Sequence, residues 1–230
     1  MLAALCSGAL RLRAHPSRLP VVSASYSGMA NFEGLSGLAE EAATLATAGV
    51  VPVTSADGST LATFAGGCFW GLELAFQREH GVLDTCVGYT QGGKAFPAYG
   101  EVCDETTGHT EAVLVAYDPS VVDYARLAEL LFDHIPDPTM LNRVGNDRGT
   151  QYRTGMYTHS AEQLEAAQAA FAREASCWES SGRKVVTEVL PATVFWPAEE
   201  VHQRYLERGG GRGRPQSAAK GATDTIRCYG

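Results

Sequence analysis

The sequence predicts an α+β fold, a two-layer α/β sandwich on a mixed, largely antiparallel sheet. Apolar runs of strand length alternate with amphipathic helical stretches, but not in strict strand–helix–strand order. A capping box, Ser160 to Gln163, opens a long amphipathic stretch that is typical of a helix. With 230 residues, 45% of them hydrophobic, the chain can form one sizeable core with extensions on either side.

The elements follow from these patterns in chain order. Short apolar or alternating runs bounded by turn residues predict strands, and apolar positions at a spacing of three to four predict helices. We predict strands at 61–65, 82–89, 111–117, 153–159 and 184–195, helices at 38–46, 72–78, 123–132, 161–175 and 198–206, and functional loops at 95–108 and 140–151.

Composition divides the chain into four segments. Residues 1–30 have the composition of an organelle transit peptide, and residues 31–60 are expected to be a loosely packed linker. Residues 61–206 are the expected catalytic domain. Residues 207–230 are polar and rich in glycine, which predicts a mobile, flexible C-terminal tail.

The N-terminal segment is basic. It contains Arg11, Arg13 and Arg18, several serines and no acidic residue, and its apolar stretch precedes the arginines, unlike a secretory signal. We expect a chloroplast location, with the mitochondrion as the alternative. A start at Met29 would instead give a cytosolic form, and an N-terminus without a targeting role is the simpler interpretation.

Charge and cysteine spacing exclude several classes of function. The formal net charge of −8 argues against a nucleic-acid partner, and no apolar run reaches the length of a membrane span. The chain contains no Cys-x-x-Cys pair, so a structural metal site is not expected. The six cysteines are Cys6, Cys68, Cys86, Cys103, Cys177 and Cys228.

Cys68 is the candidate nucleophile. It lies between an apolar strand and an amphipathic helix, where free backbone N–H groups and the helix dipole favour a thiolate. Gly66 and Gly67 before it allow a sharp turn, and Phe69 and Trp70 place two aromatic rings beside the sulfur. The alternative is a buried structural cysteine with two core aromatics.

Three further segments carry groups that could act with this thiol. Glu111 opens an apolar strand, so partial burial would raise the pKa of its carboxyl and make it a proton donor. Asp147, Tyr99 and Tyr152 lie in or beside glycine-containing loops. Each also has a structural interpretation: a solvated strand-end glutamate, an aspartate in a local turn, and two core tyrosines.

Cys228 lies in the tail, 160 positions beyond Cys68 and third from the C-terminus. Core packing does not explain a cysteine there. A thiol on a flexible segment could resolve a sulfenic acid formed on Cys68. The alternative is an unpaired, exposed thiol.

Several of these segments together match one family. The chain resembles the peptide methionine sulfoxide reductase A (MsrA) family, particularly its plant and algal plastid members, from about Leu61 to Gly230. The matching segments are Gly67-Cys68-Phe69-Trp70-Gly71, Val87-Gly88-Tyr89, Gly108-His109-Thr110-Glu111-Ala112-Val113, Gly145-Asn146-Asp147, Gly149-Thr150-Gln151-Tyr152-Arg153, Ala198-Glu199-Glu200, His202-Gln203, Tyr205-Leu206 and Ile226-Arg227-Cys228-Tyr229-Gly230.

The resemblance implies reduction of methionine S-sulfoxide, free or in oxidised proteins, by a monomer. It implies these roles: Cys68 as nucleophile, Glu111 as acid, Tyr99, Asp147 and Tyr152 around the sulfoxide oxygen, Phe69 and Trp70 around the S-methyl group, and Cys228 as resolving cysteine. An external dithiol, thioredoxin or dithiothreitol, would reduce the resulting disulfide. No cofactor, metal, flavin or nucleotide is implied.

The chain departs from the plant pattern at Ala222, where those members usually carry another cysteine. The resemblance therefore implies a single step from Cys68 to Cys228. Two rival functions use similar residues: a thiol peroxidase, and a redox-sensing or oxidised-peptide-binding module without efficient turnover. Catalytic reduction of a sulfoxide by a dithiol separates them.

Overall fold

The computed structural model describes residues 32–210 and 213–228. The segment expected to be a transit peptide lies outside these ranges. The helices are α1 (Leu38–Thr47), α2 (Phe69–Arg78), α3 (Tyr99–Cys103), α4 (Tyr124–His134) and α5 (Ala161–Glu179). The strands are β1 (Thr60–Gly66), β2 (Val82–Thr90), β3 (Thr110–Tyr117), β4 (Arg143–Val144), β5 (Asp147–Arg148), β6 (Thr154–Thr158), β7 (Glu188–Pro191) and β8 (Trp196–Pro197).

Six strands form the central sheet, in the order β7-β6-β1-β3-β2-β8. The β6–β7 pair is parallel and every other pair is antiparallel. This mixed sheet with its helices confirms the predicted α+β fold class. None of the helices in the described ranges is long and apolar enough to cross a membrane.

The two faces of the sheet are covered separately, because alternate residues of a strand point to opposite sides. On one face, Phe64 of β1 packs with helices α2 and α4, including Phe76 and Tyr124 at ring distances of 5.0 and 5.3 Å. This face holds the larger core. It also fixes the start of α2 beside the ends of β1 and β3.

The other face is covered by α1. Leu38, Ala39 and Ala42 are buried against the sheet, where Leu61 and Leu114 are fully buried. The expectation of a loosely packed linker is therefore wrong for α1. The physical reason is that the alanine-rich stretch presents a small apolar stripe, which lets the helix pack closely on β2 and β8 and bury its apolar residues on this face of the sheet.

Three local predictions differ from the structure. The predicted loop at 95–108 contains the short helix α3. The Ala98 N–H donates to the Glu101 carboxylate at 3.1 Å and so caps the first turn of this helix. The strand expected at 184–195 is limited to β7, which ends at Pro191, and the chain then crosses to the opposite edge of the sheet, where β8 begins only at Trp196. The last helix is only a 3₁₀ turn, Glu200–His202, because Arg204 has a φ of 51°.

The C-terminal segment lies against the end of α2. Arg78 is buried and donates to the carbonyl oxygens of Ser217 at 2.8 Å and Asp224 at 2.6 Å. Lys220 Nζ donates to the carbonyl oxygens of Gln77 at 2.7 Å and Val82 at 2.6 Å. These bonds hold the tail in the position described, and its mobility remains a prediction.

Candidate active site

Cys68 lies at the turn between β1 and α2, as the N-cap residue of the helix. The turn depends on Gly67, which has a φ of +80°. A Cβ at Gly67 would lie 2.6 Å from the Cβ of Val144, so glycine also lets the β4–β5 hairpin approach this turn. Only 8% of Cys68 is exposed.

Glu111 reaches the same helix terminus from the neighbouring strand β3. Phe69 N–H donates to Glu111 Oε2 at 3.0 Å, and only 1% of the residue is exposed. Burial raises the pKa of Glu111 to about 8, partly opposed by that hydrogen bond. The carboxyl is therefore largely protonated at neutral pH and has a proton to donate.

The pKa of the Cys68 thiol shifts in the direction opposite to the sequence-based expectation. Burial raises it well above the ordinary value, and the negative charge of Glu111, when ionised, adds to the effect. The Trp70 N–H lowers it only in part. The first N–H of the helix is also bonded to Glu111 rather than to sulfur. The prediction of a thiolate stabilised by the helix dipole is therefore wrong for this state of the site.

Tyr99 and Tyr152 approach the Glu111 carboxyl from different elements. Tyr99 is the first residue of α3, and Tyr152 ends a 3₁₀ turn, Thr150–Tyr152. Burial and the charge of Glu111 raise the pKa of both phenols. Both therefore remain hydroxyl donors at neutral pH, close to the Glu111 carboxyl.

Asp147 lies on β5, in the hairpin that packs on Gly67. Its charge raises the pKa of Cys68, Glu111 and Tyr152. It also raises the pKa of Cys228. The structure thus brings together every polar residue that the sequence places in the site.

An aromatic wall lies beside Cys68. The rings of Phe69 and Trp70 are 6.2 Å apart, and Tyr205 stacks on Trp70 at 3.9 Å. His202 lies 4.5 Å from the Tyr99 ring and 5.8 Å from that of Trp70. The wall is apolar enough to hold a methyl group beside sulfur.

Sequence reasoning assigned no role to His202, Tyr205 or Glu199. Glu199 accepts hydrogen bonds from Tyr99 N–H and the Tyr89 hydroxyl, both at 2.9 Å, so it positions the start of α3. The signal was present, because all three residues lie in matching segments near the C-terminal end of the domain. Their spacing alone did not indicate a common site.

Cys228 lies against α2, one turn beyond Cys68. A Cβ at Gly71 would lie 2.5 Å from Cys228 Sγ, so the tail thiol occupies the space that a larger residue would fill. Cys228 is among the charges that raise the pKa of Cys68, which places the two thiols in one site. Both are free thiols here.

The other described cysteines differ in position. Cys86 is fully buried on the α1 face of the sheet, away from the pocket. Cys177 is exposed near the end of α5. Cys103 is partly exposed and shares a hydrogen bond with the Tyr99 side chain, so it borders the site. Within the described ranges, no group of three or more His, Cys, Asp or Glu residues could hold a metal ion.

Comparison with known proteins gives a consistent result. A family model described as peptide methionine sulfoxide reductase matches residues 60–226. A peptide methionine sulfoxide reductase of Solanum lycopersicum is 52% identical over 173 residues, which cover 75% of this chain and 87% of the relative. Peptide methionine sulfoxide reductase A4, chloroplastic, of Arabidopsis thaliana is 47% identical, with 75% of this chain and 66% of that protein covered.

A solved structure supports the same relationship. Methionine sulfoxide reductase A of Corynebacterium diphtheriae is 34% identical and superposes with a TM-score of 0.62. The match covers 68% of this chain and 82% of that one.

The pH dependence of folding tests the protonation of Glu111. Folding raises its pKa from 4.5 to about 8, so the folded state binds more protons than the unfolded state in that window and loses stability as pH rises through it. Glu111→Gln removes this titration. We expect its free energy of unfolding, relative to wild type, to increase from about pH 4.5 to about pH 8 and then level off.

Urea unfolding at several pH values measures this difference. Glu179→Gln, at the exposed end of α5, is the matched control and should show no trend. If the free energy of unfolding of Glu111→Gln differed from that of wild type by a constant amount from about pH 4.5 to about pH 8, this result would contradict a neutral, buried Glu111.

Proposed function

The chain belongs to the peptide methionine sulfoxide reductase family, and from this premise we propose how its site works. It is an enzyme that reduces peptide methionine sulfoxide to methionine. In our proposal it acts on the S epimer, Cys68 attacks the sulfoxide sulfur and Glu111 protonates the sulfoxide oxygen. The observation that carries this proposal is the buried Glu111 carboxyl, which the Phe69 N–H holds at the start of α2 beside the thiol.

In the first step the Glu111 carboxyl and the Cys68 thiol, both buried, act on the sulfoxide together. A sulfoxide oxygen leaves poorly until it is protonated, so Glu111 transfers its proton there as Cys68 sulfur attacks. The thiol proton replaces the one that Glu111 gives up. The attack forms a bond between Cys68 sulfur and substrate sulfur. The substrate S–O bond then breaks and the protonated oxygen passes to Cys68 sulfur as the S–S bond breaks, so methionine leaves reduced by two electrons and Cys68 is left oxidised as a sulfenic acid. No charge needs to be created in the buried site, which suits a thiol whose pKa is raised.

Tyr99 and Tyr152 donate hydrogen bonds to the same oxygen in this proposal, with Asp147 beside them. Both phenols keep their protons and lie near Glu111. Donors aimed at an oxygen that gains charge accelerate such steps, and loss of one typically costs about 10² to 10³ in rate.

Phe69 and Trp70 select the substrate in this proposal by contacting its S-methyl group. Tyr205, stacked on Trp70 at 3.9 Å, fixes the orientation of that ring. Sulfur and methyl groups both interact favourably with aromatic rings. The arrangement of the wall opposite the polar donors would then determine which epimer presents its oxygen to Glu111.

Cys228 resolves the sulfenic acid. Its sulfur lies on Gly71, one helical turn from Cys68, and the tail is held there by Arg78 and Lys220. Attack on Cys68 sulfur releases water and forms a Cys68–Cys228 disulfide. An external dithiol, thioredoxin in the cell or dithiothreitol in the assay, then reduces this disulfide by thiol exchange.

The proposed enzyme is a monomer that needs no bound cofactor or metal and repairs oxidised proteins. We also propose a plastid location. The basic composition of residues 1–30 supports it, and one relative, from Arabidopsis thaliana, is named chloroplastic. A mitochondrial location, or a cytosolic form that starts at Met29, is the alternative.

Epimer selectivity tests the reaction and its nucleophile together. We expect dithiothreitol-supported reduction of a peptide containing methionine S-sulfoxide, no reduction of the R epimer, and loss of all activity in Cys68→Ser. Separated epimers are assayed by chromatography of the product peptide. Cys177→Ser is the control and should retain wild-type activity, because that thiol is exposed on α5. Activity in Cys68→Ser would rule out this nucleophile.

Removal of the tail thiol tests the resolving step. Cys228→Ser should release about one methionine per enzyme at the wild-type rate, because Cys68 and Glu111 are intact. Its thioredoxin-supported turnover should fall to background, since the sulfenic acid has no intramolecular partner. Rapid-quench and steady-state assays measure the two phases. Undiminished turnover with thioredoxin would show that another thiol, such as Cys103, resolves the intermediate.

A further inference from the structure

His134 and Cys228 share one small space above α2. A Cβ built on Gly71 would lie 2.5 Å from Cys228 Sγ, 3.1 Å from His134 Cε1 and 3.5 Å from His134 Nε2. The imidazole and the thiol therefore converge on the space left by a missing side chain. Gly71 is three residues beyond Cys68, so this space lies about one helical turn from the reacting sulfur.

His134 is the last residue of α4, and the proposed reduction step does not use it. In the described part of the chain, neither of its ring nitrogens makes a hydrogen bond with another residue. Burial lowers its pKa to about 4. At neutral pH the ring is therefore uncharged, so the lone pair of one ring nitrogen can take a proton only in passing, within a concerted step.

The thiol beside it is poorly ionised. Burial and the charge of Asp147 both raise the pKa of Cys228. Only the thiolate is an effective nucleophile, so attack by Cys228 requires that its proton be removed. Burial is the cause of the lowered pKa of His134, and none of the other titratable groups of the site contributes to that shift. Those groups are Cys68, Glu111, Asp147, Tyr99 and Tyr152. The neighbouring Asp133 is exposed and pairs with Arg126 at 3.7 Å.

We propose that His134 is the base that accepts the thiol proton of Cys228 during resolution of the Cys68 sulfenic acid. The inference rests on the proposed role of Cys228. As the Cys228 S–H bond breaks, its proton moves to the imidazole and the S–S bond forms. The S–O bond of Cys68 breaks in the same step. The imidazole passes this proton on to the departing hydroxide, which leaves as water, so His134 ends the step neutral and no further oxidant or reductant is needed.

The position of His134 connects it with the second half-reaction only, in which Cys228 resolves the Cys68 sulfenic acid. His134 approaches Cys228 from α4, whereas the groups proposed to act on the sulfoxide oxygen come from β3, α3, β5 and the 3₁₀ turn. A change at His134 should therefore leave methionine release intact and slow only the disappearance of the sulfenic acid. This separation allows the two proposals to be tested independently.

The test is a single turnover of His134→Asn with S-sulfoxide peptide at several pH values. Methionine release reports the first step, and sulfenic acid trapped by dimedone and measured by mass spectrometry reports the second. We expect release to be unchanged and sulfenic acid decay to slow by about 10² to 10⁴ near pH 7. We also expect decay in the variant to accelerate about tenfold per pH unit below the pKa of Cys228, whereas wild type varies little between about pH 6 and pH 8.

His80→Asn is the matched control. Its ring contacts the tail at Gly221, where a Cβ would lie 3.3 Å from Nε2, well along the tail from the thiol. It should keep the wild-type rate and pH profile. Added imidazole should partly restore decay in His134→Ala, which a purely structural role would not produce.

Unchanged decay in His134→Asn, or slower decay with the flat wild-type pH profile, would overturn the base role while leaving the proposed function intact. Decay in Cys228→Ser as fast as in wild type would overturn both the resolving role and this inference. Failure of wild type to release methionine would instead count against the proposed function itself.

Discussion

The hydrogen bond from Phe69 N–H to Glu111 is the interaction on which the site depends. It uses a free N–H at the start of α2 to hold a buried carboxyl, at 3.0 Å, beside the Cys68 thiol. Because both acids are buried, both keep their protons at neutral pH. The thiol and the carboxyl thus exchange protons during the reaction, and Cys68 is not ionised before it.

Glycines determine which groups can approach this helix. The positive φ of Gly67 turns the chain into α2 and admits the hairpin that carries Asp147. Gly71 leaves the space in which Cys228 and His134 meet. The hairpin with Asp147 and the tail thiol therefore both come close to the first turn of α2, next to Cys68. The central sheet supplies the rigid frame, since β1 and β3 are paired in register next to the site.

Much of this organisation could be predicted from the sequence, because apolar periodicity records burial directly. The helix after Cys68 and the strand beginning near Glu111 follow from such patterns. The pKa of Cys68 could not be predicted, since it depends on burial by distant segments and on a carboxyl from another strand. The packing of α1 was missed because its small alanine stripe resembles a linker. His134 lies in no matching motif, and its proximity to Cys228 arises only from the fold.

The rate at which Glu111→Gln reduces a methionine S-sulfoxide peptide in a single turnover shows whether Glu111 supplies the proton. Glutamine retains an oxygen that can accept the Phe69 N–H bond but has no acidic proton to give. We predict a fall of at least about 10² in the rate of methionine release, with folding and Cys68 alkylation preserved. A rate within a few-fold of wild type would contradict the claim that this buried carboxyl protonates the sulfoxide oxygen.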